Sequence, residues 1–121
     1  MSTPPSPTPS AETYPLSAER RGYYEDLYNK LQTAIENASN DDPLESMNDS
    51  RLSVAAVISQ DNQCHIAADT ATFKAMDAQI ADANAKLKKL QADIAAVASK
   101  TAAIGDVAAA IGKVLSFFPS I

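Results

Sequence analysis

The stretch FKAMDAQIADANAKLKKLQADIAAVASKTAAIGDVAAAIGKVLSFF (73–118) decides how this chain folds. Within it Phe73, Met76, Ile80, Ala83, Leu87, Leu90, Ile94, Val97, Thr101, Ile104, Ala108, Ile111, Leu115 and Phe118 recur in alternating steps of three and four. That spacing returns a side chain to one stripe of an α-helix every seven residues, as in a helix packed against other helices. Thr101 is the one polar member of the series. The pattern predicts a single long helix over 70–118, and the 46 residues from Phe73 to Phe118 would extend about 69 Å at 1.5 Å per residue. Gly105 and Gly112 each weaken it by roughly 1 kcal/mol relative to alanine, so any kink is expected near Gly105, and Pro119 ends the helix.

The candidate interaction seam is Phe73, Met76, Ile80, Leu87, Leu90, Ile94, Val97, Ile104, Ile111, Leu115 and Phe118. Towards the end of the chain Asp106 and Lys113 share an outward face with Ser99, while Val107 and Val114 widen the seam on one flank. Ala98, Gly105 and Gly112 line the other flank as a candidate close-packing groove, because small residues every seven positions let a neighbouring helix approach. In such a groove leucine at either glycine would overpack, at a cost of about 1–3 kcal/mol. A membrane span needs about twenty apolar residues, and Asp106 and Lys113 interrupt this tail, so no transmembrane span is expected. In a parallel zipper Gln79 would face Asn84, Lys86 would face Gln91, and Asp93 would face Ala98. None of these is an ion pair, so the seam reads as the spine of an antiparallel bundle.

Outward from this segment the chain reads as all-α. Five of its seven prolines fall in MSTPPSPTPSAETYP, and proline fits neither a helix interior nor a central strand. Residues 1–16 are therefore expected to be a disordered Pro/Ser/Thr-rich arm, and 17–121 a helical bundle with helices at 17–38, 43–68 and 70–118. Ser17 is a suitable N-cap with Glu19 in the first turn, and Tyr24, Leu27, Tyr28, Leu31, Ala34 and Ile35 form an apolar stripe. In DDPLE, Asp42 reads as the next cap, Pro43 as the first helical residue and Glu45 as the closing member of a capping box. NDS (48–50) threatens to interrupt that helix, and the β-branched RLSVAAVIS (51–59) has some strand character. A lone strand without a partner is unfavourable, so helix is the better assignment.

Charge and composition exclude several classes. The net charge is −5, with net −7 over residues 1–72 and +2 over 73–121, which disfavours a nucleic-acid partner and suits two halves that pack on each other. The single cysteine, Cys64, rules out an internal disulfide, and the first eighteen residues hold neither Lys or Arg nor an apolar run. A soluble, cytoplasmic protein is expected, with signal-independent export as the alternative route. Asp61, His65 and Asp69 stand four apart, a ligand-like spacing on a helix, but one histidine and two carboxylates fall short of a zinc or iron site and read as a solvated face. Cys64 has no basic flank to activate it, and no phosphate loop, paired-carboxylate motif or nucleophile elbow is present. No catalytic residue, cofactor or metal is expected. Tyr24 and Tyr28 should place rings in the core with hydroxyls at its edge, while Tyr23 points elsewhere.

The expectation is a non-enzymatic helical interaction or assembly module that presents the seam to a protein partner or to a second copy as a homo-oligomer. The alternative is a membrane-active helical protein, a small component of a pore-forming or toxin system, binding at a membrane surface. The Ala/Ile/Val/Gly-rich tail is similar in general character to the hydrophobic helices of soluble helical pore-forming toxins. The seam generates one prediction common to both. Leu90→Asp places a charge at mid-seam and should cost several kcal/mol at least, whereas Asp106→Ala on the outer face should change little; urea denaturation followed by circular dichroism measures both.

Overall fold

Ser17 opens the first helix, its hydroxyl accepting the Arg20 N–H at 3.2 Å. Helix α1 runs Ala18–Glu36, followed by α2 (Leu44–Ile66), α3 (Thr70–Ala95) and α4 (Ala102–Leu115). The computed structural model describes residues 15–39, 42–97 and 101–116, and every regular element among them is a helix. The proline-rich arm up to residue 14 lies outside the described residues. Its expected last residue, Leu16, belongs to the folded domain: the side chain is buried and its N–H donates to Asp61 Oδ1 at 2.7 Å.

Polar contacts fix the topology. Along α2 and α3, Ser46 reaches Asp93, Ser53 reaches Asp82, and Gln60 reaches the Thr72 carbonyl, so the two helices run antiparallel. Arg21, early in α1, meets Asp61, late in α2, which makes this pair antiparallel too. Lys113 of α4 lies 5.9 Å above the Tyr23 ring. Lys30 is held protonated first by its hydrogen bond to Asp26 and further by the Asp106 charge on α4, which places α4 antiparallel to α1. Helix α2 packs most extensively on α3, α1 sits between α2 and α4, and a smaller α3/α4 contact closes the ring. The result is an up-down-up-down four-helix bundle.

The long helix expected over 70–118 is two helices. Helix α3 ends at Ala95, where the Ala96 N–H bonds back to Ala92 and Val97 to Ile94, and α4 starts afresh at Ala102. Thr101, the polar member of the heptad series, is the reason a new start is favourable: as N-cap it accepts the Ile104 N–H at 3.3 Å. The break therefore precedes the kink expected near Gly105, which lies inside α4. The second helix also starts differently from expectation. Asp42 accepts from the Ser39 N–H instead of capping forwards, Pro43 occupies the N-cap position, and no side chain caps Leu44. The expected capping box appears instead at α3, where Asp69 and Thr72 exchange side-chain-to-backbone hydrogen bonds. Helix α2 runs unbroken through Asn48–Ser50.

Folding back at 96–101 turns the seam inward. Met76, Ile80, Leu87, Leu90, Ile94, Val97, Ile104 and Ile111 are buried and Phe73 and Leu115 half-buried, alongside Tyr24, Leu27, Leu31, Met47, Val54 and Val57 from α1 and α2. Phe118 lies outside the described residues. Each large side chain so buried contributes about 1.5–3 kcal/mol of transfer free energy. The seam is thus covered by the chain itself.

Among the described residues no helix packs against Gly105 or Gly112 of the expected groove at Ala98, Gly105 and Gly112. Ala98 lies outside the described residues, and Gly105 and Gly112 are exposed on α4, with nothing within 4 Å of a Cβ placed at either. Helix α4 buries the opposite side, through Ile104, Val107, Ile111 and Val114. Gly112→Ala should therefore stabilise the bundle by about 0.5–1 kcal/mol through helix propensity alone, and Gly112→Leu should carry no overpacking penalty in the monomer. Chemical denaturation of both variants checks this.

Candidate functional site

With the seam enclosed, the surface available to a partner is set by how α1 and α2 are held. On its α3 side, α2 presents Ser46, Ser50 and Ser53, all buried and spaced for one helix face. Their hydroxyls donate to the Asp93 carboxylate, to the Lys86 carbonyl at 3.4 Å and to Asp82 Oδ2 at 3.1 Å. Lys89 Nζ completes the first of these, donating to Ser46 Oγ at 3.0 Å and to Asp93 at 2.9 Å. The Ser46 and Lys89 hydrogen bonds hold the Asp93 carboxyl below its ordinary range. Further along, Gln60 Nε2 and Cys64 Sγ both donate to the Thr72 carbonyl. Small side chains bring the helices close, and each polar group finds a partner across the contact. NDS, which threatened to interrupt the expected helix over 43–68, supplies Ser50 to this contact. The signal was there, since 46, 50 and 53 follow the same helical period as Met47, Val54 and Val57.

On its α1 side, α2 carries Asp61, fully buried despite its charge. Its carboxylate accepts the Leu16 N–H and, at 3.0 Å, Arg21 Nη1, while His65 Nε2 stands 3.5 Å away. Arg21 also bonds Asn62 Oδ1 at 2.6 Å and pairs with Glu25 at 3.3 Å. This clasp ties the first turn of α1 to the last turns of α2. The expected Asp61–His65–Asp69 face does not form: Asp61 is buried, the His65 side chain is 54% exposed, and Asp69 lies beyond α2 as the α3 N-cap. Among the described residues no group of three or more His, Cys, Asp or Glu side chains is placed to hold a metal ion. Burial pushes the Cys64 thiol up, with the Asp61 charge adding to it, so the nucleophilic thiolate is disfavoured. Tyr24 lies deeper than expected: its hydroxyl is buried without a hydrogen-bond partner in the structure, and burial raises its pKa. Asn84, expected on a seam flank, is fully buried.

Outside the clasp lies an open cleft of about 490 Å³ between α1 and α2, lined by Glu25, Tyr28, Asn29, Ala55, Ile58, Ser59 and Asn62. Beside it α2 turns a continuous stripe to solvent: Leu44, Asn48, Leu52, Ala55, Ser59, Asn62 and Ile66 recur in steps of three and four without a charge. Leu44, Leu52 and Ile66 are the exposed large hydrophobics among the described residues, at 45%, 61% and 78%. All three project from this one face. An uncharged face the full length of a helix, edged by a cleft that Tyr28 lines, can bury another helix. No helix among the described residues is long and apolar enough to cross a membrane.

The clasp predicts its own energetics. Arg21→Met leaves the Asp61 carboxylate buried without its cation and should destabilise the bundle by about 3 kcal/mol. Arg21→Met combined with Asp61→Leu should recover part of that loss, because the stranded charge is gone; urea midpoints of the single and double variants give the comparison. Comparison with family models, with curated proteins and with solved structures finds no match to this chain.

Proposed function

We propose that this protein is a non-enzymatic helical interaction module whose docking surface is the outer face of α2 with the adjoining α1/α2 cleft. The single observation that carries this reading is the coincidence of all three exposed large hydrophobics on one uncharged helix stripe. Isolated exposed leucines are ordinary on a protein surface, but a stripe of them in register with a cleft is what a helix-in-groove partner needs. The seam of α3 and α4 serves the module as its core, so it supports the docking face without forming it. The membrane-surface alternative draws on the composition of α4, whose large apolar side chains Ile104, Val107, Ile111 and Val114 pack inside the bundle.

A photo-reactive amino acid in place of Leu52, in the cells that make the protein, tests the reading. Defined protein adducts should form from position 52 and not from position 106, which is exposed on α4. Equal adduct formation at both positions, or none at 52, would remove the basis for this surface.

A further inference from the structure

Resting on that docking reading, we propose that the occupant of the α2 face is a second copy of this chain, laid antiparallel about a two-fold axis at Ala55. Two of the stripe's pairs are symmetric about this residue. Leu44 stands eleven positions before Ala55 and Ile66 eleven after it; Asn48 stands seven before and Asn62 seven after. Two antiparallel copies crossing at Ala55 therefore set Leu44 against Ile66 of the second copy, and Asn48 against its Asn62. A two-fold interface must be self-complementary in this way, because each contact occurs twice.

The remaining positions fit the same register. Ala55 meets its own counterpart at the axis, where a methyl group allows the helices their closest approach. Leu52, the 61% exposed projection, falls at the level of Ile58 of the second copy, which lines its cleft, between that copy's Ala55 and Ser59. The amides also match: Asn62 already accepts from Arg21 through Oδ1, which leaves its NH₂ to donate to the Asn48 carboxamide of the second copy.

Charge supports the arrangement. About this axis the α1-side flank of one copy faces the α1-side flank of the other. At 100° per residue, Arg51 lies on that flank of α2. Opposite it is the Ser59 level of the second copy, where Glu25 lines the cleft. Glu45, on the other flank, falls near the uncharged Gln63 of the second copy.

Sedimentation equilibrium of the full chain, with cysteine cross-linking, tests the proposal. The wild type should show twice the 12.8 kDa chain mass at concentrations of about 100 µM. Leu52→Glu should raise the dimer dissociation constant at least about a hundredfold, since the change enters twice, while the helical circular dichroism signal stays unchanged. Ala55→Cys should form an intermolecular disulfide under mild oxidation and Asp106→Cys should not; the native Cys64 is buried and does not interfere. A wild type that stays monomeric, a dimer indifferent to Leu52→Glu, or equal cross-linking from both cysteines would overturn the second-copy assignment. So would a monomer that co-sediments with phosphatidylcholine/phosphatidylserine vesicles through Leu52, which would assign the face to lipid. The two readings fail separately. A monomer whose position-52 photo-adduct contains a different protein removes the second copy and keeps the docking face; a monomer with no adduct removes both.

Discussion

An apolar seam that would extend about 69 Å in one straight helix has to be covered, and the helices available to cover it hold 19 and 23 residues. The chain meets this constraint by folding the seam in two at 96–101. Helix α3 then takes α2 as its principal cover, α4 takes α1, and the two inner faces meet around one core. A straight rod would keep a few more backbone hydrogen bonds. The folded form replaces one of them through the Thr101 cap and encloses Val97, Ile104 and Ile111, which outweighs the remainder.

Once the seam closes on itself, polar groups decide the register. The serines of α2 let α3 approach, and Asp82, Asp93, Lys89 and the Lys86 carbonyl fix where it stops. At the other side of α2, Asp61 collects a backbone N–H and a guanidinium from the start of α1. A buried carboxylate with several partners is costly to misplace, so it pins the α1/α2 register more sharply than apolar packing does. That register in turn positions Glu25, Tyr28 and Asn29 along the cleft beside the exposed stripe of α2. The interior polar groups thus shape the outer surface, which the clasp reaches through the Arg21 bonds to Glu25 and Asn62.

The same division sets the uncharged α2 face apart from the α4 glycines, which no helix among the described residues approaches. Helix α4 is apolar enough to satisfy the core through one side, leaving Gly105 and Gly112 facing open space. Helix α2 has a more polar inner face, lined by serines and Asp61, and carries Leu44, Leu52 and Ile66 outside. Large aliphatic groups left outside a helix whose inner face holds serines are the basis of the proposed docking face.

The sequence by itself determined the helical class, the Ser17 cap and the core-facing side chains Met76, Ile80, Leu87, Leu90, Ile94, Val97, Ile104 and Ile111. These depend on local propensity and on the three-and-four periodicity, which any packed helix must obey. It also held Thr101, a cap residue in an apolar series, without saying whether the chain would use it. Periodicity states which side of a helix is buried and is silent on what buries it, so a continuous rod and a hairpin share one pattern. Only the tertiary structure decided that α4 folds back onto α1, that Asp61 is buried instead of solvated, and that the exposed large hydrophobics among the described residues stand on α2 while most of the seam is enclosed. Each of these turns on a contact between residues far apart in the chain, where the free energy belongs to the pair and neither residue signals it alone.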